Sequence, residues 1–130
     1  MKIATACAAG LVALSSANAA AQVFKSSVGD LRVETVVGGL SHPWAFAFLP
    51  DGRLLITERS GRLRIAGDGK LSPPLAGVPN VRASGQGGLH DVVLDRGFAQ
   101  NQTIYLCYAD PVEGGGQTAL ARARLAGDKL

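Results

Sequence analysis

The stretch Trp44-Ala45-Phe46-Ala47-Phe48-Leu49-Pro50-Asp51-Gly52-Arg53-Leu54-Leu55-Ile56-Thr57-Glu58 decides the fold. Two β-rich runs flank Pro50-Asp51-Gly52-Arg53, where glycine supplies a positive φ that other residues resist. Runs of this kind around such a turn form a hairpin. Pro43 marks a turn ahead of it, and Gly38-Gly39 breaks the chain before that. Farther upstream, Leu31, Arg32, Val33, Glu34 and Val36 place apolar side chains mostly on alternate positions, as a half-buried strand does. Downstream, Arg62 to Ala66 reads as a third strand that turns at Gly67-Asp68-Gly69. Pro73, Pro74 and Pro79 then make the next stretch a loop.

The same order returns later in the chain. Leu89 to Asp95 is apolar like Trp44 to Leu49, Thr103 to Ala109 resembles Leu54 to Glu58, and Ala119 to Leu125 resembles Arg62 to Ala66. Setting Leu49-Pro50-Asp51-Gly52 against Leu94-Asp95-Arg96-Gly97 gives a period of about 45 residues. The third strands also end alike, in Ala66-Gly67-Asp68-Gly69-Lys70-Leu71 and Ala126-Gly127-Asp128-Lys129-Leu130. Short strands in units of this length predict an all-β chain of propeller blades. About two blades fit in the chain, and a ring needs roughly four to eight, so an incomplete propeller is expected. The alternative is a complete small β-sandwich.

Composition narrows the function classes. Thirteen Lys and Arg against ten Asp and Glu leave a formal charge of +3, and the basic residues are scattered. With only two Tyr and four Phe to stack on bases, this is no nucleic-acid footprint. Met1-Lys2, the apolar run Ile3 to Leu14 and the small-residue pattern Ala17-Asn18-Ala19 describe a secretory signal peptide over residues 1–21, with Ala19-Ala20-Ala21 an equally good cleavage site. Residues 22–130 then form an exported portion, periplasmic or secreted. No later run approaches the roughly 20 apolar residues of a membrane span. Cys107 stands alone after the leader, inside Ile104-Tyr105-Leu106-Cys107-Tyr108, and reads as a buried inert thiol.

The stretch Gly85-Gln86-Gly87-Gly88-Leu89-His90-Asp91-Val92 carries the functional signal. Read by itself, it is a glycine-rich turn into a strand with Gln86 solvated. It lacks the last glycine of a dinucleotide fingerprint and precedes a strand, not a helix. Gly114-Gly115-Gly116 reads as a flexible loop with no Lys-Ser or Lys-Thr pair after it, so it is no phosphate cradle. Ser84 has no recognisable His and Asp partners. His42 reads as a turn residue and His90 as a hydrogen-bonded residue at a strand start, the alternative for His90 being a place in the site. Two histidines so far apart, without supporting Cys or carboxylate spacing, make no case for a metal site. Arg59, Arg62 and Arg64 read as a solvated face, the alternative being contact with a cofactor.

Taken together, His42 to Arg59, Gly61-Arg62-Leu63 and Gly85-Gln86-Gly87-Gly88-Leu89 resemble the N-terminal blades of the soluble glucose/sorbosone dehydrogenase family, which includes periplasmic aldose sugar dehydrogenases. The resemblance runs over about residues 31–130. It implies a six-bladed propeller that holds pyrroloquinoline quinone (PQQ), supported by calcium, and oxidises aldoses at the anomeric carbon. It also implies that Gln86 lies beside cofactor and sugar, where an amide both donates to and accepts from hydroxyls. The family's catalytic histidine is expected after Leu130, so no residue here is assigned a catalytic role, and most cofactor and calcium ligands are expected outside this chain. The sequence therefore reads as a leader plus two blades of a longer enzyme, inactive by itself. Neither the preferred sugar nor the electron acceptor is indicated. A non-catalytic secreted propeller that binds carbohydrate or protein is the competing reading.

Overall fold

The structure is a computed structural model that describes residues 21–130. The expected signal peptide falls almost wholly outside these residues. The chain divides into two compact units, with the division between Thr35 and Val36.

The first unit contains an antiparallel hairpin of β1 (Gln22–Ser26) and β2 (Gly29–Val33). Gly29 closes its turn at φ 128°, and Lys25 pairs with Asp30 at 2.8 Å. The half-buried strand expected at Leu31 to Val36 is corrected here. It ends at Val33, every residue of it is exposed, and its partner β1 had no sequence reading. The alternation was real, since Leu31 and Val33 share a face, but alternation alone does not show what covers that face.

The second unit holds two antiparallel sheets. The first is ordered β3 (Pro43–Phe48), β4 (Leu54–Glu58), β5 (Arg62–Gly67) and β6 (Lys70–Leu71). The second is ordered β7 (Leu89–Leu94), β8 (Thr103–Val112) and β9 (Gly115–Arg124), with a short helix α1 (Phe98–Asn101) between β7 and β8. Both sheets run up and down in chain order, as two successive propeller blades do, and they do not close into a ring. The β3–β4 hairpin, the third strand and the proline loop stand where the sequence places them. Asp68 and Gly69 join β5 to β6 with φ of 51° and 69°, the paired positive values of a type I′ turn. The segment after the second sheet repeats that ending in miniature, with Ala126 bridged to Lys129.

One apolar core lies between the sheets. Leu55, Leu63 and Ile65 meet Leu89, Val92, Ile104 and Leu106, and Leu49, Leu75, Phe98 and Leu125 cap the cluster. Burying a residue of this kind stabilises by about 1.5–3 kcal/mol. The core face of β8 carries Ile104 and Leu106, which puts Cys107 on the other face. It is therefore half-buried and not the enclosed thiol expected. On the far face of β3, Phe46 and Phe48 meet edge to face, 5.5 Å apart, and stay exposed.

The two sheets share an irregularity. Pro43 pairs with Glu58 and Ala45 with Thr57, so Trp44 is an extra residue in β3. Leu89 pairs with Tyr108 and Asp91 with Cys107, so His90 is the extra residue in β7. These are β-bulges at corresponding places. They set Pro43 against Leu89 and Phe48 against Leu94, one position out of step with the sequence alignment, which set Leu49 against Leu94. Backbone bonds support the correction. Leu49 N–H donates to Arg53 at 2.8 Å and Asp95 N–H to Thr103 at 2.9 Å, each just after its strand.

Candidate functional site

The loop from Ser84 to Gly88 leads into β7, and its glycines have separate reasons. Gly85 turns the chain at φ 58°. A Cβ on Gly87 would stand 2.4 Å from the Arg82 carbonyl, and one on Gly88 would stand 2.5 Å from Arg59 Cγ and 2.8 Å from the Arg59 carbonyl. Only a residue without a side chain fits either place.

Both sheets grip this loop. On the side of the second sheet, Ala109 N–H donates to Gly88 at 2.8 Å and Arg82 N–H donates to Ala109 at 2.8 Å. On the side of the first, Arg59 follows β4 directly, in the turn closed by Gly61 N–H donating to Glu58 at 3.0 Å. Its Nε donates to the Gly87 carbonyl at 3.1 Å and its Nη2 to the Gly85 carbonyl, while its own carbonyl accepts from Leu89 N–H at 3.0 Å. Gln86 is held between the two gripped carbonyls and points outward, exposed.

Gln86 lines a cleft of about 480 Å³, together with Arg82, Ser84, His90, Gln117 and Thr118. His90 belongs to this cleft through its bulge. Its carbonyl accepts from buried Thr57 Oγ1 at 2.9 Å, and its ring stands edge to face on Trp44 at 5.7 Å. His90 is thus hydrogen-bonded at the strand start, as expected, through its backbone carbonyl, while its ring is stacked. Thr57 also accepts from Ala45 N–H at 3.0 Å, so one hydroxyl joins the sheets beside the bulges. His42 is a bend residue ahead of β3, at φ 49°.

Arg82, Gln117 and Thr118 had no sequence reading as site residues. Arg82 precedes the loop and is held to the second sheet by its N–H bond to Ala109, whereas Gln117 and Thr118 reach the cleft because β8 and β9 are ten residues long and pair to Val112 and Gly115, so the expected Gly114-Gly115-Gly116 loop is a tight hairpin end. That extension carries Gln117 and Thr118 alongside Gln86. The length of a hairpin beyond its apolar part leaves little trace in sequence.

The arginine-rich face also differs from expectation. Glu58 is fully buried, accepting from Ser41 N–H at 2.5 Å, Arg62 Nε at 2.6 Å and Arg64 Nη1 at 3.3 Å. Arg64 keeps only 14% exposure and also bonds the Ser72 carbonyl at 2.7 Å. Burial pushes the Glu58 carboxyl up, but its three donors outweigh that and hold it below the usual 4.5. Arg64 thus belongs to an internal charge cluster and not to a solvated face, while Arg62 pairs with Glu58 and stays partly solvated.

Chemically, the cleft offers two amides, two hydroxyls, an imidazole and a guanidinium. Such groups suit a ligand rich in hydroxyls or carboxylates. No three His, Cys, Asp or Glu side chains gather to hold a metal ion among the described residues.

The family model of glucose/sorbosone dehydrogenases matches residues 40–130, which include the whole cleft. This chain belongs to the glucose/sorbosone dehydrogenase family. It is 48% identical over 121 residues to the aldose sugar dehydrogenase YliI of Escherichia coli K12, a match that covers 91% of this chain and 31% of that protein. The structure of the soluble aldose sugar dehydrogenase from Escherichia coli in its apo form superposes with a TM-score of 0.67 at 51% identity, covering 70% of this chain and 28% of the other. The PQQ-bound form of aldose sugar dehydrogenase from Streptomyces coelicolor superposes with a TM-score of 0.61 at 27% identity, covering 79% and 28%. The chain spans about a third of the length of the curated relatives it matches. Within the glucose/sorbosone dehydrogenase family, then, the described residues form two blades and one polar cleft.

Proposed function

We propose that the protein carrying these residues is a periplasmic PQQ-dependent dehydrogenase that oxidises aldose sugars at the anomeric carbon, and that this chain is its leader and first two blades. The observation that carries the reading is Gln86, held at a polar cleft by the family's Gly-Gln-x-Gly-Leu motif. The donor set fits the cofactor and sugar. Arg82 can pair with a carboxylate, and Gln86 and Gln117 can donate to and accept from hydroxyls. PQQ, when bound, supplies the electron-accepting quinone. Gln86 binds and orients, and proton abstraction falls to a histidine outside this chain. Calcium is held mostly by residues outside this chain as well, and residues 1–21 direct export.

The test is to supply the full-length protein with PQQ and calcium and follow dye reduction driven by a panel of aldoses. Sugar-dependent reduction is expected, with none from residues 22–130 alone. Silence with every aldose would favour a secreted propeller that only binds carbohydrate or protein.

A further inference from the structure

We propose that Arg59 is a positioning residue for the Gln86 loop, and that it acts through the two-carbonyl grip of its guanidinium. The inference rests on the reading of Gln86 as a ligand-contacting residue.

Three observations carry it. First, Arg59 bonds to the carbonyls on both sides of Gln86, at Gly85 and Gly87. A planar fork fixes the direction of both peptide planes at once, which a point charge cannot do. Second, the motif is shaped around this side chain, since a Cβ on Gly88 would collide with Arg59 Cγ at 2.5 Å. Third, Arg59 makes no ion pair among the described residues, whereas Arg62 and Arg64 both pair with Glu58. Its guanidinium is therefore spent on the loop and not on the neighbouring carboxylate.

The loop is otherwise weakly self-supported. Within it, Gly87 N–H donates to Ser84 at 2.9 Å, and Gly85 and Gly87 have little backbone preference of their own. Removing the fork frees two carbonyls at the cleft edge and lets the peptide planes beside Gln86 rotate. Core Leu89 bonds to the Arg59 backbone carbonyl, which an Arg59 side-chain substitution leaves in place, so the effect is local to the loop.

The experiment uses the full-length protein with Arg59→Ala and Arg59→Lys. Amide exchange at Gly87 is measured with exchange at core Leu106 as control, and kcat and KM are measured for an aldose. For Arg59→Ala we expect Gly87 exchange to rise about tenfold, Leu106 exchange to stay unchanged, and kcat/KM to fall about tenfold, the scale of one or two lost hydrogen bonds. Millimolar guanidinium, far below denaturing levels, should recover part of both losses. Arg59→Lys should fall between Ala and wild type. Unchanged Gly87 exchange in Arg59→Ala would overturn the proposal, as would Lys matching wild type or losses that guanidinium does not reverse. If Gly87 exchange responds and is rescued while the wild-type protein oxidises no aldose, the positioning role stands and the dehydrogenase reading fails.

Discussion

Arg62 Nε lies 2.6 Å from Glu58, the only fully buried charged side chain among the described residues. A carboxylate without water is stable only while its partners remain. Ser41 N–H takes one oxygen, and Arg62 and Arg64 share the other. Glu58→Gln keeps the size and removes the charge, leaving Arg64 confined without its carboxylate. We expect a loss of about 2–3 kcal/mol, below the range for fully enclosed pairs because Arg62 stays partly solvated. Urea unfolding at neutral pH measures it, and a change under about 0.5 kcal/mol would contradict it.

Stability should also fall on acidification. Glu58 is held below its ordinary 4.5 as described above, Asp51 below 3.8 chiefly by the Arg53 side chain, and Asp95 below 3.8 chiefly by the Asn101 amide. A carboxyl lowered in the folded state contributes stability that is full above its unfolded value and lost as pH falls through the folded one. The urea midpoint should therefore stay level from neutrality to about pH 5 and fall below it, less steeply in Glu58→Gln. A midpoint that rises on acidification would reverse the sign.

The glycines of the loop should separate by mechanism. Gly85→Ala meets open space but must hold φ 58°, at a cost of about 1–2 kcal/mol. Gly88→Ala meets the Arg59 carbonyl at 2.8 Å, backbone that cannot swing aside, and about 3 kcal/mol is expected. Equal costs by urea titration would remove close approach as the reason for Gly88.

Gln86→Ala removes an exposed amide and should leave stability within about 0.5 kcal/mol. In the full-length protein it should lower kcat/KM for aldoses about tenfold or more, the worth of a hydrogen bond to the reacting complex. Unchanged steady-state kinetics would take Gln86 out of the site.

Residues 22–130 alone should associate. The first sheet presents Phe46 and Phe48 at 59% and 68% exposure on its edge strand, and such edges recruit other chains. Light scattering should show species above monomer, reduced by Phe46→Ser with Phe48→Ser. A monomer that unfolds sharply would contradict the expectation.

Local chemistry made most of the fold legible. Turn glycines at Gly52 and Gly69, apolar runs in β3, β4, β7 and β8, and the proline loop each follow from short stretches. Whatever depends on a second stretch did not show. Glu58 looks like any charged strand end until the Ser41 segment covers it, and Arg64 looks solvated until Ser72 and Glu58 enclose it. The motif singled out Gln86, and the structure places it on the wall of the cleft. Gln117 and Thr118 carried no such signal, because a hairpin end far along the chain brings them there, and Arg82, though close in sequence, is placed by its bond to Ala109 on that same hairpin. The one-residue error in the repeat has the same origin, since a bulge adds a residue without changing the apolar pattern around it.

The paired bulges at Trp44 and His90 have a consequence for how such a scaffold can vary. An extra residue satisfies no rung of the ladder, so its side chain can be exchanged without disturbing the strand pairing on either side. Each repeat thereby offers one interchangeable socket at the same height, filled by an indole in one and an imidazole in the next. Chemistry at that rim can diversify while the sheet beneath it is copied unchanged.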